Sequence, residues 1–139
     1  MRRFFFNLIL APMPRLFLLL AAINGFLAVS LGAFAAHGLR ARLSPDLLAT
    51  FQTGVQYHMI HTLALFGVGL LAFQLPATAS LRISGYLFMA GIVLFSGSLY
   101  VLAVSGVRWL GAITPFGGLA FLAGWVLLGW TAYRMTLTP

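Results

Sequence analysis

Apolar residues form four long continuous stretches along this chain, at residues 16–36, 55–75, 83–104 and 113–133. Each stretch is close to the roughly 20 residues that an α-helix needs to cross a bilayer. A membrane barrel would instead show segments of about ten residues with alternating polarity. The pattern therefore predicts an all-α integral membrane protein built as a bundle of four transmembrane helices.

The polar residues between the stretches predict the domain limits. We expect one transmembrane domain at residues 16–133, an N-terminal interfacial segment at 1–15 and a short tail at 134–139. Arg2 and Arg3 resemble the start of a targeting signal, but two prolines separate them from the first stretch, which is long enough to stay in the membrane. No cleavage is expected.

Two places carry signals for the start of a helix. Ser44, Pro45 and Asp46 offer a capping hydroxyl, a proline at the first helical position and an acid at the positive end of the helix dipole. Thr114 with the proline after it repeats the pattern. We predict that the second helix begins at Pro45, well before its apolar stretch, with a bend at Gly54.

Small residues recur at helical spacing in three stretches and predict faces for close helix packing, which drives association in lipid. They are Ala21, Gly25, Ala28, Gly32 and Ala36 in the first stretch, Ser84, Gly91, Ser98 and Ser105 in the third, and Gly117, Ala120 and Gly124 in the fourth. The spacing of Gly25 and Ser30 recurs at Gly91 and Ser96. Two tandem helical hairpins of the same orientation are therefore an alternative description of the bundle.

Composition supports the membrane assignment. Hydrophobic residues make up 62% of the chain, charged residues 6%, and the mean hydropathy is +1.05, which leaves too little polar surface for a soluble domain. The net charge of +7 comes from scattered arginines at the ends of the stretches, where they anchor in lipid headgroups, so membrane lipid rather than nucleic acid is the expected partner. The chain has no cysteine, which excludes thiolate chemistry and disulfides.

The arginines also predict orientation, since short cytoplasmic loops are enriched in positive charge. With the N-terminus inside, five arginines are cytoplasmic and three are outside, which favours a bacterial inner-membrane protein with both termini in the cytoplasm. The inside set is Arg2, Arg3, Arg15, Arg82 and Arg134, and the outside set is Arg40, Arg42 and Arg108.

The polar side chains that could carry chemistry are predicted to cluster at the outer face, where the first two stretches meet. The candidate cluster is His37, Tyr57, His61, Ser96, Ser98, Tyr100 and Thr114. On the second helix, the residues Asp46, Thr50, Thr53, Tyr57 and His61 share one stripe, which we expect to face the first and third helices because polar groups avoid lipid.

Three roles are open for these residues. In the structural role, His37 and His61 join two helices by hydrogen bonds, and Asp46 pairs with Arg40 or Arg42 at the surface. In the second role, His37, His58 and His61 hold a metal or haem, but no thiol or carboxylate pair accompanies them, so we expect no metal and no cofactor. In the third role, the cluster lines a proton-linked pathway or a pocket for a small ligand such as a lipid, quinone or haem.

Several motifs together resemble a known family. They are LGAFAAH at residues 31–37, QTGVQYHMIH at 52–61, LFSGSLY at 94–100, TPFGG at 114–118 and LAGW at 122–125. In this order they are similar to the YgdD and transmembrane-protein-256 family, also known as domain of unknown function 423. The resemblance implies a small four-span inner-membrane protein without an established activity. This chain differs in a longer leader before Arg15 and in His58, where glutamine is more usual, which argues against a ligand role for His58.

These observations predict a non-enzymatic membrane protein, acting as a small structural or accessory component. Other membrane-protein subunits or a second copy of the chain are the protein partners that such a bundle could meet. A minimal transporter or ligand-binding protein is the alternative.

Overall fold

The computed structural model describes residues 12–135, in which four helices are long and apolar enough to cross a membrane. These are span one (Met13–Leu39), span two (Pro45–Gln74), span three (Ala79–Ser105) and span four (Arg108–Met135). The predicted four-helix membrane fold is confirmed. Each span begins several residues before its apolar stretch, and spans one, three and four also end after it.

The start of span two is as predicted. Its α-helix runs from Pro45 to Gln74, and the hydroxyl of Ser44 accepts a hydrogen bond from the Leu47 amide at 3.5 Å. The helix is continuous through Gly54, which is a point of close packing, since a Cβ there would lie 2.9 Å from a ring carbon of Tyr100.

The predicted terminal segments lie largely outside the described residues. Residues 1–11 and 136–139 are not described, so most of the interfacial segment and of the tail cannot be compared with the prediction. Span one already begins at Met13, with Pro14 in its first turn. Arg134 and Met135 are the last residues of the helix in span four rather than part of a tail.

Two of the spans contain a π-helical turn. One lies at Ala35–Leu39, at the end of span one, and the other at Ile92–Ser96, inside span three. The helices on either side of the second turn are Ala79–Gly91 and Gly97–Ser105. Gly106 then ends span three with a φ of 72°, a left-handed conformation that glycine adopts without strain.

Span four begins differently from span two. A short 3₁₀ helix at Arg108–Ala112 precedes the α-helix at Thr114–Met135. Thr114 is the first helical residue, and the carbonyl of Ile113 accepts from the Phe116 amide at 3.1 Å. The Thr114 hydroxyl therefore does not cap the helix as predicted, because it bonds span three instead.

Spans two and three form the middle of the bundle. Span one packs chiefly on span two, and span four chiefly on span three. Most of the predicted small residues lie at these interfaces: a Cβ on Gly25 or Gly32 would contact span two, and Gly91 lies against the ring of Phe121. Ala36 and Ser105 are exposed. Gly117 is so close to span three that a Cβ would overlap the backbone nitrogen of Phe95.

The glycines of the sequence repeat are equivalent in the structure, but the serines are not. Gly25 and Gly91 each face the next span. Ser30 is exposed and donates back to its own helix at the Phe26 carbonyl, whereas Ser96 is buried and donates to Gly54. The two hairpins therefore share a packing position without sharing their polar contacts.

Two apolar clusters fill the interior. The larger contains the buried rings of Phe17, Phe88 and Phe121, and the smaller surrounds Phe51 at the other end of span two. His58 and His61 lie between the two clusters along span two. The helix that carries both histidines is thereby fixed on either side of them by apolar packing.

Candidate functional site

A chain of hydrogen bonds through His58 connects three spans near the centre of the bundle. The Nε2 atom of His58 is 3.0 Å from Oδ1 of Asn24 in span one, and its Nδ1 atom is 3.0 Å from the Tyr100 hydroxyl in span three. Asn24 also donates through Nδ2 to the Leu20 carbonyl at 2.8 Å and contacts the Met89 sulfur at 3.3 Å. We call these residues, Asn24, His58 and Tyr100, the central triad.

The contacts of the triad fix the protonation of the imidazole. Because the Asn24 amide donates to a carbonyl through Nδ2, its Oδ1 is the atom that faces His58 and must accept from Nε2–H. The His58 ring is 3% exposed and no acid lies beside it, so a charged ring would be costly in lipid. The neutral ring leaves Nδ1 as an acceptor, and the Tyr100 hydroxyl donates to it.

His61 joins span two to span four through the opposite tautomer. Its Nδ1 atom is 2.8 Å from the carbonyl of Tyr57, which can only accept, and its Nε2 atom is 3.1 Å from Nε1 of Trp125. Since an indole nitrogen can only donate, the Nε2 atom of His61 carries no proton. The imidazole also stacks on Phe121, with ring centroids 3.4 Å apart and planes 7° apart.

Hydroxyl groups of span three make most of the remaining bonds between spans. Ser96 donates to the Gly54 carbonyl at 2.7 Å and Ser84 donates to the Gly124 carbonyl at 2.9 Å. Ser98 and Thr114 form a hydroxyl pair at 2.8 Å. Small hydroxyl residues can make such bonds because the glycines next to them let the helix backbones approach closely.

The cluster lies deeper than predicted. At 1.5 Å per residue, Asn24 is about 16 Å along span one from Met13 and about 22 Å from Leu39. Asn24, His58 and the His61–Trp125 pair therefore lie near the middle of their spans, whereas Tyr100 is five residues from the end of span three and reaches His58 through its side chain. The polar contacts thus extend from the end of span three into the middle of the bundle.

The predicted polar stripe of span two is exposed over most of its length, and only its last member, His61, is buried. Asp46, Thr53 and Tyr57 are exposed, and the hydroxyls of Thr50 and Thr53 donate back to carbonyls of their own helix. The buried face is one residue further along the chain and includes His58. His61 is the buried member of the stripe, and its ring packs on Phe121 of span four and on Phe88 of span three.

The surface contacts of the structural hypothesis are not formed in the described residues. His37 is exposed within the π-helical turn of span one and has no hydrogen bond to His61. Asp46, Arg40 and Arg42 are all exposed, and no salt bridge joins them in residues 12–135. The bonds between spans come instead from the interior residues.

A shared metal site on the three histidines does not form. Among the residues that the structure describes, no group of three or more histidine, cysteine or acidic side chains could hold a metal ion. The ring nitrogens of His58 face Asn24 and Tyr100, and those of His61 face Tyr57 and Trp125. Both nitrogens of each ring are therefore already engaged with protein.

The sequence interpretation missed two of the residues that matter most in the interior, Asn24 and Trp125. It named His58 only as a metal-ligand candidate and not as a residue that joins spans. One signal was available: Asn24 is an amide in the middle of an otherwise apolar span, and such residues in membranes are expected to bond to another helix.

A groove of about 690 Å³ opens between spans two and four, on the side that would face lipid. Tyr57, His61 and Phe121 form its aromatic wall, and their ring planes lie within 23° of one another. Phe95 packs on Tyr57 with centroids 4.5 Å apart. Gln56 lies at the same rim, and Gly118 and Leu122 line the groove on the side of span four.

Comparison with known proteins gives a family without an assigned activity. The family model described as "Protein of unknown function (DUF423)" matches residues 31–118. The UPF0382 membrane protein YwdK of Bacillus subtilis is 52% identical over 114 residues, covering 82% of this chain and 93% of the relative. The UPF0382 inner membrane protein YgdD of Escherichia coli is 43% identical over 121 residues, covering 87% and 92%. No solved structure matches significantly.

Proposed function

The chain belongs to the DUF423 family of membrane proteins, and from this premise we propose that it is a non-enzymatic structural or accessory component of the membrane. In this role the buried histidines lock the four spans together, and the bundle acts through its lipid-facing surface. The proposal refines the structural role that the sequence favoured, with the central triad and the His61–Trp125 pair in place of His37 and the surface charges.

One observation carries the proposal. In residues 12–135, every buried side-chain nitrogen or oxygen has a hydrogen-bond partner within the protein. The polar groups in the interior are thus engaged in holding spans to one another. A catalytic or conducting site needs polar groups that are free to bind a substrate or an ion. Such a group has no partner within the protein, and an unpaired polar group inside a membrane lowers the stability of the fold.

The exposed apolar surface supports an accessory role. Span four is the least buried of the four spans, and bulky side chains such as Phe116, Leu119 and Val126 point away from the bundle. In lipid such a face can contact acyl chains, a second copy of this chain or another membrane-protein subunit. These are the partners we propose, and nucleic acid is not among them.

The proposed location is a bacterial inner membrane with both termini in the cytoplasm. The inner-membrane description of YgdD supports the location, and the arginine distribution supports the orientation. The native chain has no cysteine, so single cysteines can report the sides. Ala41→Cys should react with an impermeant maleimide on intact spheroplasts, and Ala77→Cys only after permeabilisation. The reverse pattern would invert the proposed orientation.

The structural role is tested by separating stability from transport. His61→Ala removes the bond to Trp125 and the stack on Phe121, and should lower the stability of the bundle in mixed micelles. In proteoliposomes loaded with a pH-sensitive dye, the unmodified protein should collapse a pH step no faster than empty vesicles. A proton flux that the unmodified protein carries and that His61→Ala abolishes, with the bundle intact, would make this histidine part of a transport pathway and refute the proposal.

A further inference from the structure

The groove between spans two and four contains polar groups that the bundle does not use. The Tyr57 hydroxyl and the Gln56 amide form no hydrogen bond with any other residue in the described part of the chain. Tyr57 is 39% exposed and lies about 18 Å along span two from Pro45. Both residues lie at the beginning of the apolar stretch that starts at residue 55, where a ligand that carries acceptor oxygens can supply the missing hydrogen-bond partners.

The shape of the groove favours a flat ring. His61 and Phe121 stack on each other and are buried, and the exposed aromatic groups of the groove are Tyr57, at 39%, and Trp125, at 45%. A planar conjugated ring can pack against these two side chains. A volume of about 690 Å³, mostly apolar walls and a few polar groups at one rim are typical of sites for small ligands.

The polar groups at the rim further restrict which functional groups the ligand can carry. Tyr57 can donate one hydrogen bond and Gln56 two, so the ring should carry carbonyl oxygens that accept them. Leu119 and Leu122, on the opposite side of the groove, are 62% and 65% exposed to the surroundings of the bundle. An apolar tail attached to the ring can therefore leave the groove along these side chains and continue into the lipid.

We propose that this groove is a lateral binding site for a membrane-dissolved quinone, with its ring against Tyr57 and Trp125, its carbonyl oxygens at Tyr57 and Gln56, and its tail in the bilayer. The groove shares His61 and Trp125 with the bond between spans two and four, but its ligand-binding groups, the Tyr57 hydroxyl and the Gln56 amide, make none of the bonds that lock the bundle. The inference therefore goes beyond the structural role. The ligand enters from the membrane, since the groove opens sideways between the two spans.

The fluorescence of Trp125 can report whether a quinone binds in the groove. A parent protein with Trp109→Phe and Trp130→Phe keeps Trp125 as its single tryptophan. In phosphatidylcholine nanodiscs, a benzoquinone with one isoprenoid unit should quench its fluorescence along a saturable curve. Quenching by probe that is merely dissolved in the lipid would rise in proportion to the probe without saturating.

Two glycines of span four give a matched pair of variants in that parent. Gly118→Leu places a side chain in the groove, and its Cβ meets nothing nearer than a Phe95 ring carbon at 3.9 Å. Gly129→Leu makes the same change at an exposed position where a Cβ meets nothing within 4 Å. Saturable quenching should disappear in the first variant and stay unchanged in the second.

A third variant tests the polar contact without filling the groove. Tyr57→Phe keeps the ring and removes the hydroxyl, so the half-saturating probe concentration should rise roughly three- to tenfold. This variant also decides the outcome if Gly118→Leu fails to fold, as judged by its circular dichroism spectrum. An unchanged half-saturating concentration in Tyr57→Phe would then overturn the proposal.

Other outcomes would also refute the quinone site. Saturable quenching that persists in a folded Gly118→Leu protein would place the probe elsewhere, and quenching proportional to probe in every variant would mean that no site exists. Brominated phosphatidylcholine tests the competing occupant. If it quenches Trp125 more strongly in the parent than in Gly118→Leu, while quenching by quinone rises only in proportion to the probe, acyl chains fill the groove and the proposal is wrong.

Discussion

Removing the Tyr100 hydroxyl is the sharpest test of the central triad. Tyr100→Phe keeps the ring, which packs on Phe51 with centroids 4.7 Å apart, and deletes the donor that faces Nδ1 of His58. The imidazole cannot compensate by changing tautomer, because Asn24 requires the proton on Nε2. The variant therefore leaves one buried acceptor without a partner.

The expected loss of stability is about 1 kcal/mol. Hydrogen bonds between helices in membranes average roughly 0.6 kcal/mol and reach about 1.7 kcal/mol, and a ring that is 3% exposed cannot find water as a substitute. The result should therefore lie above that average. Since 1.4 kcal/mol corresponds to about tenfold, the unfolding equilibrium should shift about fivefold.

The assay is reversible unfolding by SDS in mixed micelles, followed by circular dichroism. Tyr86→Phe is the matched control, because Tyr86 lies in the same span, is half-exposed, packs its ring on Phe17 and has no hydrogen bond from its hydroxyl in residues 12–135. The control should change the free energy of unfolding by less than about 0.3 kcal/mol. Equal effects of the two variants would refute the hydrogen-bonded triad.

A double-mutant cycle extends the test to the tautomer. In an Asn24→Leu background, nothing holds the His58 proton on Nε2, so the ring can donate from Nδ1 or accept there. Loss of the Tyr100 hydroxyl should then cost less than in the unmodified protein, with an interaction energy of about 0.5 kcal/mol or more. Strictly additive effects would mean that the two bonds to the ring are independent.

Three further predictions concern the packing and the second histidine. Gly117→Ala should destabilise the bundle by about 2 kcal/mol because its Cβ would overlap the backbone of span three, whereas Gly129→Ala should be neutral in the same SDS titration. Nitrogen-15 NMR of labelled histidine at pH 7 should find His58 with its proton on Nε2 and His61 with its proton on Nδ1, and a doubly protonated ring at either position would contradict the contacts. Trp125→Phe should cost about 1 kcal/mol by removing the donor to His61, and an unchanged unfolding midpoint would refute that bond.

The amino-acid sequence determined the number of spans, the beginning of span two at Pro45 and the small-residue faces. These are local properties: the length of an apolar stretch fixes whether a helix can cross lipid, Ser44 caps its own helix, and a stripe of glycines follows from helical spacing alone. The family could also be predicted from the sequence, because its motifs are short runs of residues that occur in a fixed order.

The tertiary structure decided which polar groups meet. Neighbouring side chains differ by about 100° in their direction around the helix axis. The face that contains Tyr57 and the face that contains His58 therefore have different surroundings, although their sequences are almost equally polar. The face that is buried depends on the rotation and depth at which the spans pack, which the close approaches at Gly54, Gly91 and Gly117 set. Hydrogen bonds between residues far apart in the chain form only after that packing has formed. They join Asn24 to His58, His58 to Tyr100 and His61 to Trp125, which are 34, 42 and 64 residues apart.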